Sequence, residues 1–452
     1  MRSELRRSVR VSGSAWIALL VLACSCSDTS VSCSPTLTCE VRPNRFKPRD
    51  NGFQEMDGGY EPCGPLKKSC RALTIAAGGR HGCATAQGAE LYCWGDNDEQ
   101  QRGDAAAVLN EGYQDYPGGA PKPDRDAGGP TFTLVARGVS KVVAGSAHTC
   151  MLQQGRVSCW GRNAEGQVVG QPSLGSVSFQ LQASELASDL DAGDAHTCMV
   201  TDQGVICWGD ASHGQCGRQV MLGALPPALV PGTQGAVEVA TGSHHTCARF
   251  GDGHVACWGE LIDAASSQLH ATPEVTPVFG LDDASAITAG AGHTCAIHGT
   301  GEVVCWGLNS SGQLGSGTRT SSAIPVPLMS SLRAVRIAAG GGQLNGELFG
   351  HTCVVDTSLQ VQCWGRNTEG QLGIGQSMLD GALTPQVVLG APGESDEPHL
   401  GNIVEIAAGA FFTCALDHDG PVLCWGDDTY GQLGGSSTPD VGRLIRVERF
   451  DG

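Results

Sequence analysis

The sequence predicts an all-β protein assembled from seven copies of one repeat, and three observations carry that prediction. The tripeptide Cys-Trp-Gly begins at Cys93, Cys159, Cys207, Cys257, Cys305, Cys363 and Cys424, a period that reduces to one unit of ~48–50 residues with insertions in some copies. A second cysteine precedes each tripeptide by nine or ten residues, at Cys83, Cys150, Cys198, Cys247, Cys295, Cys353 and Cys414. The composition is turn-rich, with 65 Gly and 22 Pro among 452 residues and only 16% charged side chains, and no long amphipathic run argues for helices.

Within one repeat the local signals are those of strands. Short apolar runs such as Ile403-Val404-Glu405-Ile406 are bounded by Gly and Asp turns. The paired cysteines bracket hairpin turns, among them Thr201-Asp202-Gln203-Gly204, Gly251-Asp252-Gly253 and Asp417-His418-Asp419-Gly420. A two-residue turn at Asp202-Gln203 sets Cys198 directly opposite Cys207 at a non-hydrogen-bonded site, within disulfide reach. The ten-residue spacings fit the same hairpin with one bulge residue. The tryptophan beside each second cysteine points to the other face of the sheet, where a neighbouring repeat can cover it.

Each first cysteine follows Ala-Gly or Thr-Gly and usually His-Thr, as in Ala289-Gly290-Ala291-Gly292-His293-Thr294-Cys295; each tripeptide leads to a turn of the type Asn367-Thr368-Glu369-Gly370-Gln371-Leu372-Gly373. This pattern resembles the regulator-of-chromosome-condensation repeat family, over about residues 70 to 450, and the cysteine pairs resemble those of its exported bacterial members. The resemblance implies a seven-bladed β-propeller of four-stranded blades. From the ends of the repeat array, the strand Arg443–Arg449 is expected to pair with the first blade and close the ring, leaving no open edge.

The first residues are set apart from the fold. Arg2, Arg6, Arg7 and Arg10 precede the apolar stretch Val11–Ala23, which is too short to span a bilayer core of ~30 Å. It ends in Val21-Leu22-Ala23-Cys24, similar to the lipobox of bacterial lipoproteins. Residues 1–23 are therefore expected to be a signal peptide and Cys24 the lipidated residue, with the cell envelope, on the outer membrane, as the expected location and secretion as the alternative. Residues 24–62 are polar and aperiodic, the composition of a tether, and residues 63–452 are the propeller. Beyond the fourteen blade cysteines, Cys33/Cys39 and Cys63/Cys70 are expected to close two small loops. Cys24, Cys26 and Cys216 remain, and Cys216 stands where the Gly-Gln-Leu-Gly turn has its leucine, as a buried apolar substitute.

Charge excludes one class of partner. The chain carries −18, and loss of residues 1–23 removes four Arg and one Glu, leaving −21; such a surface repels phosphate backbones, so nucleic acid is not expected. His148, Cys150 and Cys159 share a site that zinc could use, but nine-residue Cys spacing and export both favour a disulfide. A histidine recurs at His81, His148, His196, His245, His293 and His351, with Phe412 in the seventh copy, and this recurrence marks architecture. Asp417–Gly420 lacks the remaining ligands of a calcium loop. No catalytic motif is present, and no cofactor or metal is expected.

What breaks the repeat is then the place to look for function. Gly340–His351 is eight residues longer than its counterparts, Asp104–Pro130 is an insertion in the first copy, and Gly390–Asn402 is a third. Strand alternation places the first two on one face and the third on the other. The expectation is a scaffold that binds a protein partner through Tyr113, Tyr116, Leu344 and Phe349. The alternatives are an enzyme acting on cell-wall or extracellular polymer, signalled by close carboxylates in the central channel, and a passive surface module.

Overall fold

The computed structural model describes residues 71–103, 132–173, 177–180, 186–220, 222–375, 378–390, 399–435, 444–447 and 450. Cys24, Cys26, Cys33, Cys39, Cys63, Cys70, Tyr113 and Tyr116 lie outside them, as do the signal and tether.

The described residues form seven four-stranded antiparallel sheets, the blades of a seven-bladed β-propeller. In blade one the strands run Ala72–Ala77, His81–Ala86, Glu90–Gly95 and Thr133–Ala136, in that order outward from the axis. The inner strands of blades two to seven are Lys141–Ala144, Asp189–Ala192, Ala236–Thr241, Ala284–Ala289, Ala334–Leu344 and Ile403–Ala408. They surround a central channel of about 600 Å³.

Two features of the repeat explain why the blades close into a ring. The glycine of each Ala-Gly or Thr-Gly lies against the carbonyl oxygen of its counterpart in the next blade. A Cβ on Gly78 would stand 2.5 Å from Gly145 O, and one on Gly409 would stand 2.4 Å from Gly78 O, so the series returns to its start. Only a residue without a side chain permits that approach. Side chains of the inner strands also bridge outward to the next blade. Asp189 accepts from Val239 N (3.0 Å), Asp191 from Thr241 N (2.7 Å), and Thr288 Oγ1 from Ala339 N (3.0 Å). These bonds satisfy backbone donors that the inner strands of blades four and six would otherwise present unpaired to the channel.

The strand expected to close the ring on blade one does not do so. Ile445–Arg446 pairs with Val422–Gly426, as the outer strand of its own blade seven. The physical reason lies at the other end of the repeat. The first copy opens on an inner strand and its own outer strand is Thr133–Ala136, so blade one is complete and offers no vacancy. Closure is made by backbone bonds from Ala72 N to Gly420 O (3.0 Å) and from Ala410 N to Gly78 O (3.1 Å), and by side chains. Phe450, fully buried, packs against Tyr92 and Trp94 of blade one and against Phe132, with ring centroids 6.2, 6.0 and 6.4 Å away.

All seven blade cysteine pairs are disulfides, Cys83–Cys93, Cys150–Cys159, Cys198–Cys207, Cys247–Cys257, Cys295–Cys305, Cys353–Cys363 and Cys414–Cys424, with Cα atoms 4.0–4.1 Å apart. Each joins residues directly opposite in the second and third strands, as the turn geometry requires. The zinc reading of His148, Cys150 and Cys159 is thereby replaced by a disulfide and a structural histidine.

Candidate binding face

The conserved-looking repeat residues are consumed by the junctions between blades. Trp208 Nε1 donates to Gln167 O of the preceding blade at 2.8 Å, and Thr197 Oγ1 donates to the same oxygen at 2.8 Å. Since that hydroxyl has spent its proton, His148 Nε2, 3.0 Å from Thr197 Oγ1, must donate to it. The same His-to-Thr bond joins His81 to Thr149, His196 to Thr246, His245 to Thr294, His293 to Thr352 and His351 to Thr413. At the seventh junction Phe412 replaces the histidine, and its partner position in blade one is Gly82, which has no hydroxyl. Both members of the bond are missing together, which shows that the histidines serve the junctions. Burial lowers their pKa values to about 3 (His148, His196, His293) or about 4 (His81, His245, His351). They are neutral at physiological pH.

The carboxylates in and beside the channel are similarly committed. Asp189 is also held by Lys141 at 2.5 Å, Asp191 accepts a second bond from Thr241 Oγ1, and Glu238 binds Arg249 at 2.6 Å. Burial pushes Glu405 up to about 7. These groups brace neighbouring blades. Cys216 is buried and unpaired, its thiol donates to Asp210 O at 3.2 Å, and burial pushes its pKa up to about 12, which makes it inert. Asp417–Gly420 is a hairpin turn, with Gly420 N bonded to Asp417 O at 2.9 Å.

One face carries what the junctions leave over. The connections between first and second strands, and between third and fourth strands, emerge on it. The extended segment of blade six is not a loop there. After a register shift between Ala334 and Arg336, the strand Ala334–Leu344 pairs with Glu347–Asp356 as far as Leu344 opposite Glu347, around a two-residue turn at Asn345 (φ 53°) and Gly346 (φ 84°), the twist-compatible turn with both φ values positive. Leu344 at the tip is 47% exposed. Phe349 is buried, so it is not a surface anchor. Its ring lies 4.9 Å from Phe411 and beneath Arg366 at 4.3 Å, and roots the hairpin. Across blade seven, Arg80 covers the Tyr430 ring at 4.4 Å. The sector from blade six to blade one thus presents Leu344 and the Arg80–Tyr430 pair. The strand ends flanking the blade-one insertion open on the same face, while Tyr113 and Tyr116 lie outside the described residues.

Blade four departs from the repeat. It lacks the Gly-Gln turn and has a longer outer hairpin, Val255–Ile262 with Leu269–Pro277. An apolar groove bordered by Leu261, Ile262, Phe279 and Ile324 opens beside it.

The comparisons now bear on this geometry. Models of the regulator of chromosome condensation (RCC1) repeat match residues 73–101, 139–167, 187–215, 284–313 and 403–432, and in a second form 300–343 and 360–416. The chain belongs to the RCC1-repeat family. The ultraviolet-B receptor UVR8 of Arabidopsis thaliana is 34% identical over 125 residues, covering 27% of this chain and 24% of the receptor. The X-linked retinitis pigmentosa GTPase regulator of Mus musculus is 32% identical over 127 residues, covering 28% of this chain and 11% of that protein. The chain thus matches a quarter or less of the length of these relatives. Among solved structures, human WBSCR16 superposes with a TM-score of 0.62 at 21% identity, covering 79% of this chain and 94% of that one. Saccharomyces cerevisiae Prp20p does so with a TM-score of 0.57 at 17% identity, over 76% and 82%. These two likenesses establish the fold.

Proposed function

We propose that this RCC1-repeat propeller is an exported, lipid-tethered scaffold that binds a protein partner through the face bearing the blade-six hairpin. The observation that carries the reading is the division of labour among residues. The repeated His, Thr, Gln and Trp positions and the buried carboxylates are occupied in holding blades together, whereas Leu344, Phe411, Arg80 and Tyr430 depart from the repeat on one face. Aromatic and arginine side chains on a rigid support are the residue types that dominate protein interfaces. The structure of Prp20p was solved together with its binding properties to Gsp1p and histones, and yeast RCC1 (Prp20) has been crystallised bound to Kap60; protein binding by a propeller of this shape is consistent with those cases. Seven disulfides support export to an oxidising compartment, and the lipobox-like residues before Cys24 support the tether.

The test is cross-linked co-purification from the native cell envelope. The intact chain is compared with one in which Gly342–Phe349 is deleted to a short turn, after both are shown to melt cooperatively. The expected result is a partner captured by the intact chain and lost from the trimmed one. Equal capture by both chains would show that the hairpin is not part of the binding face.

A further inference from the structure

We infer that His213, His244 and Glu260, at the junction of blades three and four, form a binding site for a divalent transition metal ion of the zinc class. His213 comes from the turn after the third strand of blade three, His244 from the turn after the inner strand of blade four, and Glu260 from the strand Val255–Ile262. The two imidazoles stack at 4.0 Å with planes 5° apart, so one ring must turn out of the stack for both nitrogens to aim at a single ion. His244 Nδ1 is 3.0 Å from Glu260 Oε2, and His213 Nε2 is 4.0 Å from Glu260 Oε1. One donor atom from each residue lies within 4.8 Å of the others. Two imidazole nitrogens and a carboxylate oxygen are a ligand set that zinc accepts while keeping a position for water or another donor.

The surroundings orient the donors as metal sites do. Ser212 Oγ gives its proton to Asp210 Oδ2 at 2.8 Å, so it must accept from His213 Nδ1 at 2.9 Å. The lone pair of His213 is then on Nε2, the atom nearer Glu260. Asp210 is itself fixed by Ser212 N (3.1 Å) and Gln215 Nε2 (2.8 Å). A ligating histidine ordinarily donates its other ring N–H to an acceptor that fixes its tautomer, and Ser212, held by Asp210, takes that place here. The three side chains are 34%, 21% and 19% exposed, so an ion can enter from solvent.

The repeat supplies an internal comparison. The same three positions recur at five of the other six junctions as Glu99, Ala147 and Arg162, as Glu165, Ala195 and Asp210, as Ser311, Gly350 and Arg366, as Glu369, Phe411 and Asp427, and as Tyr430, Arg80 and Asp96. That these positions meet in space is seen independently where Arg80 covers Tyr430. The framework therefore brings three variable side chains together at each such junction. At the junction of blades three and four alone do all three offer zinc-class ligands including imidazole.

The test is a cobalt(II) titration of the full chain, made without a polyhistidine tag and followed by visible absorption, with zinc competition and thermal melting in parallel. The expected result is one equivalent of cobalt with visible bands, displaced by zinc, and a zinc-dependent rise in the thermal midpoint. His213→Gln, His244→Gln and Glu260→Gln should each weaken binding by about a hundred-fold or more, and Ser212→Ala by about ten-fold, as loss of outer support does. The metal-free midpoint of Ser212→Ala should be unchanged, which keeps the test informative if a ligand variant folds poorly. No saturable binding by the intact chain, or binding unaltered by Ser212→Ala and His213→Gln, would overturn the assignment.

Discussion

Unfolding of this propeller should take up protons at its six junction histidines as the pH falls from 7 toward 5, and its stability should drop over that interval. Six junction histidines are held neutral, with pKa values lowered to about 3 or about 4 from the ordinary 6.5. In the unfolded chain they protonate near 6.5 while the native chain refuses the proton. The unfolded state therefore binds more protons, and stability is lost as the pH falls through 6.5 toward the native values. Each proton contributes about 1.4 kcal/mol per pH unit below the unfolded pKa. Glu405, raised to about 7, acts in the opposite sense: its native form holds a proton that the unfolded form releases above its ordinary value of 4.5, which subtracts about one proton from the total. Denaturant midpoints measured from pH 7.5 to 5 give the slope. A flat profile would mean that the histidines titrate in the native state and do not carry the junctions. Thr246→Val, which leaves His196 Nε2 without its acceptor, should destabilise by about 1–3 kcal/mol at pH 7.5.

Phe450→Ala should destabilise the fold more than any exposed apolar substitution, by about 3–5 kcal/mol. The ring is fully buried and ties the end of blade seven to Tyr92, Trp94 and Phe132. The His-to-Thr bond is absent from that junction, so Phe450 adds to the backbone bonds from Ala72 N to Gly420 O and Ala410 N to Gly78 O the share of closure that this bond carries elsewhere. Phe279→Ala, at a residue 87% exposed, is the control and should leave the melting midpoint in place. A small effect from Phe450→Ala would mean that the glycine contacts and Trp94, whose Nε1 reaches Gln432 O at 2.9 Å, suffice to close the ring.

How much of this is legible in the sequence depends on whether the determinant repeats. Seven copies of Cys-Trp-Gly announce the blades, the disulfides and the inter-blade role of tryptophan, because identical residues at one period can only occupy identical places. Ring closure is not legible in that way. A repeat specifies its own period but not where a blade begins, so the ends of the array do not say whether the C-terminal strand belongs to blade one or to blade seven. Phe349 was expected at the surface because it is aromatic and lies in an insertion. The insertion extends a hairpin, and Phe349 lies at its base between Phe411 and Arg366. The trio at blades three and four was missed because its members lie in two different repeats. The doubled His244-His245 and the histidine at position 213, where other copies have Glu, Ser or Tyr, are the signals that aligning the copies brings out.

The central claim is that one face of the propeller engages a protein partner, and site-specific photo-cross-linking in the producing cell tests it most directly. A photoreactive residue is placed at Leu344 on the hairpin tip, and separately at Asp202 in the turn joining the second and third strands of blade three, which emerges on the opposite face. The account predicts a discrete adduct of one partner from position 344 and none from position 202. Adducts of the same identity from both positions, or from 202 alone, would contradict it.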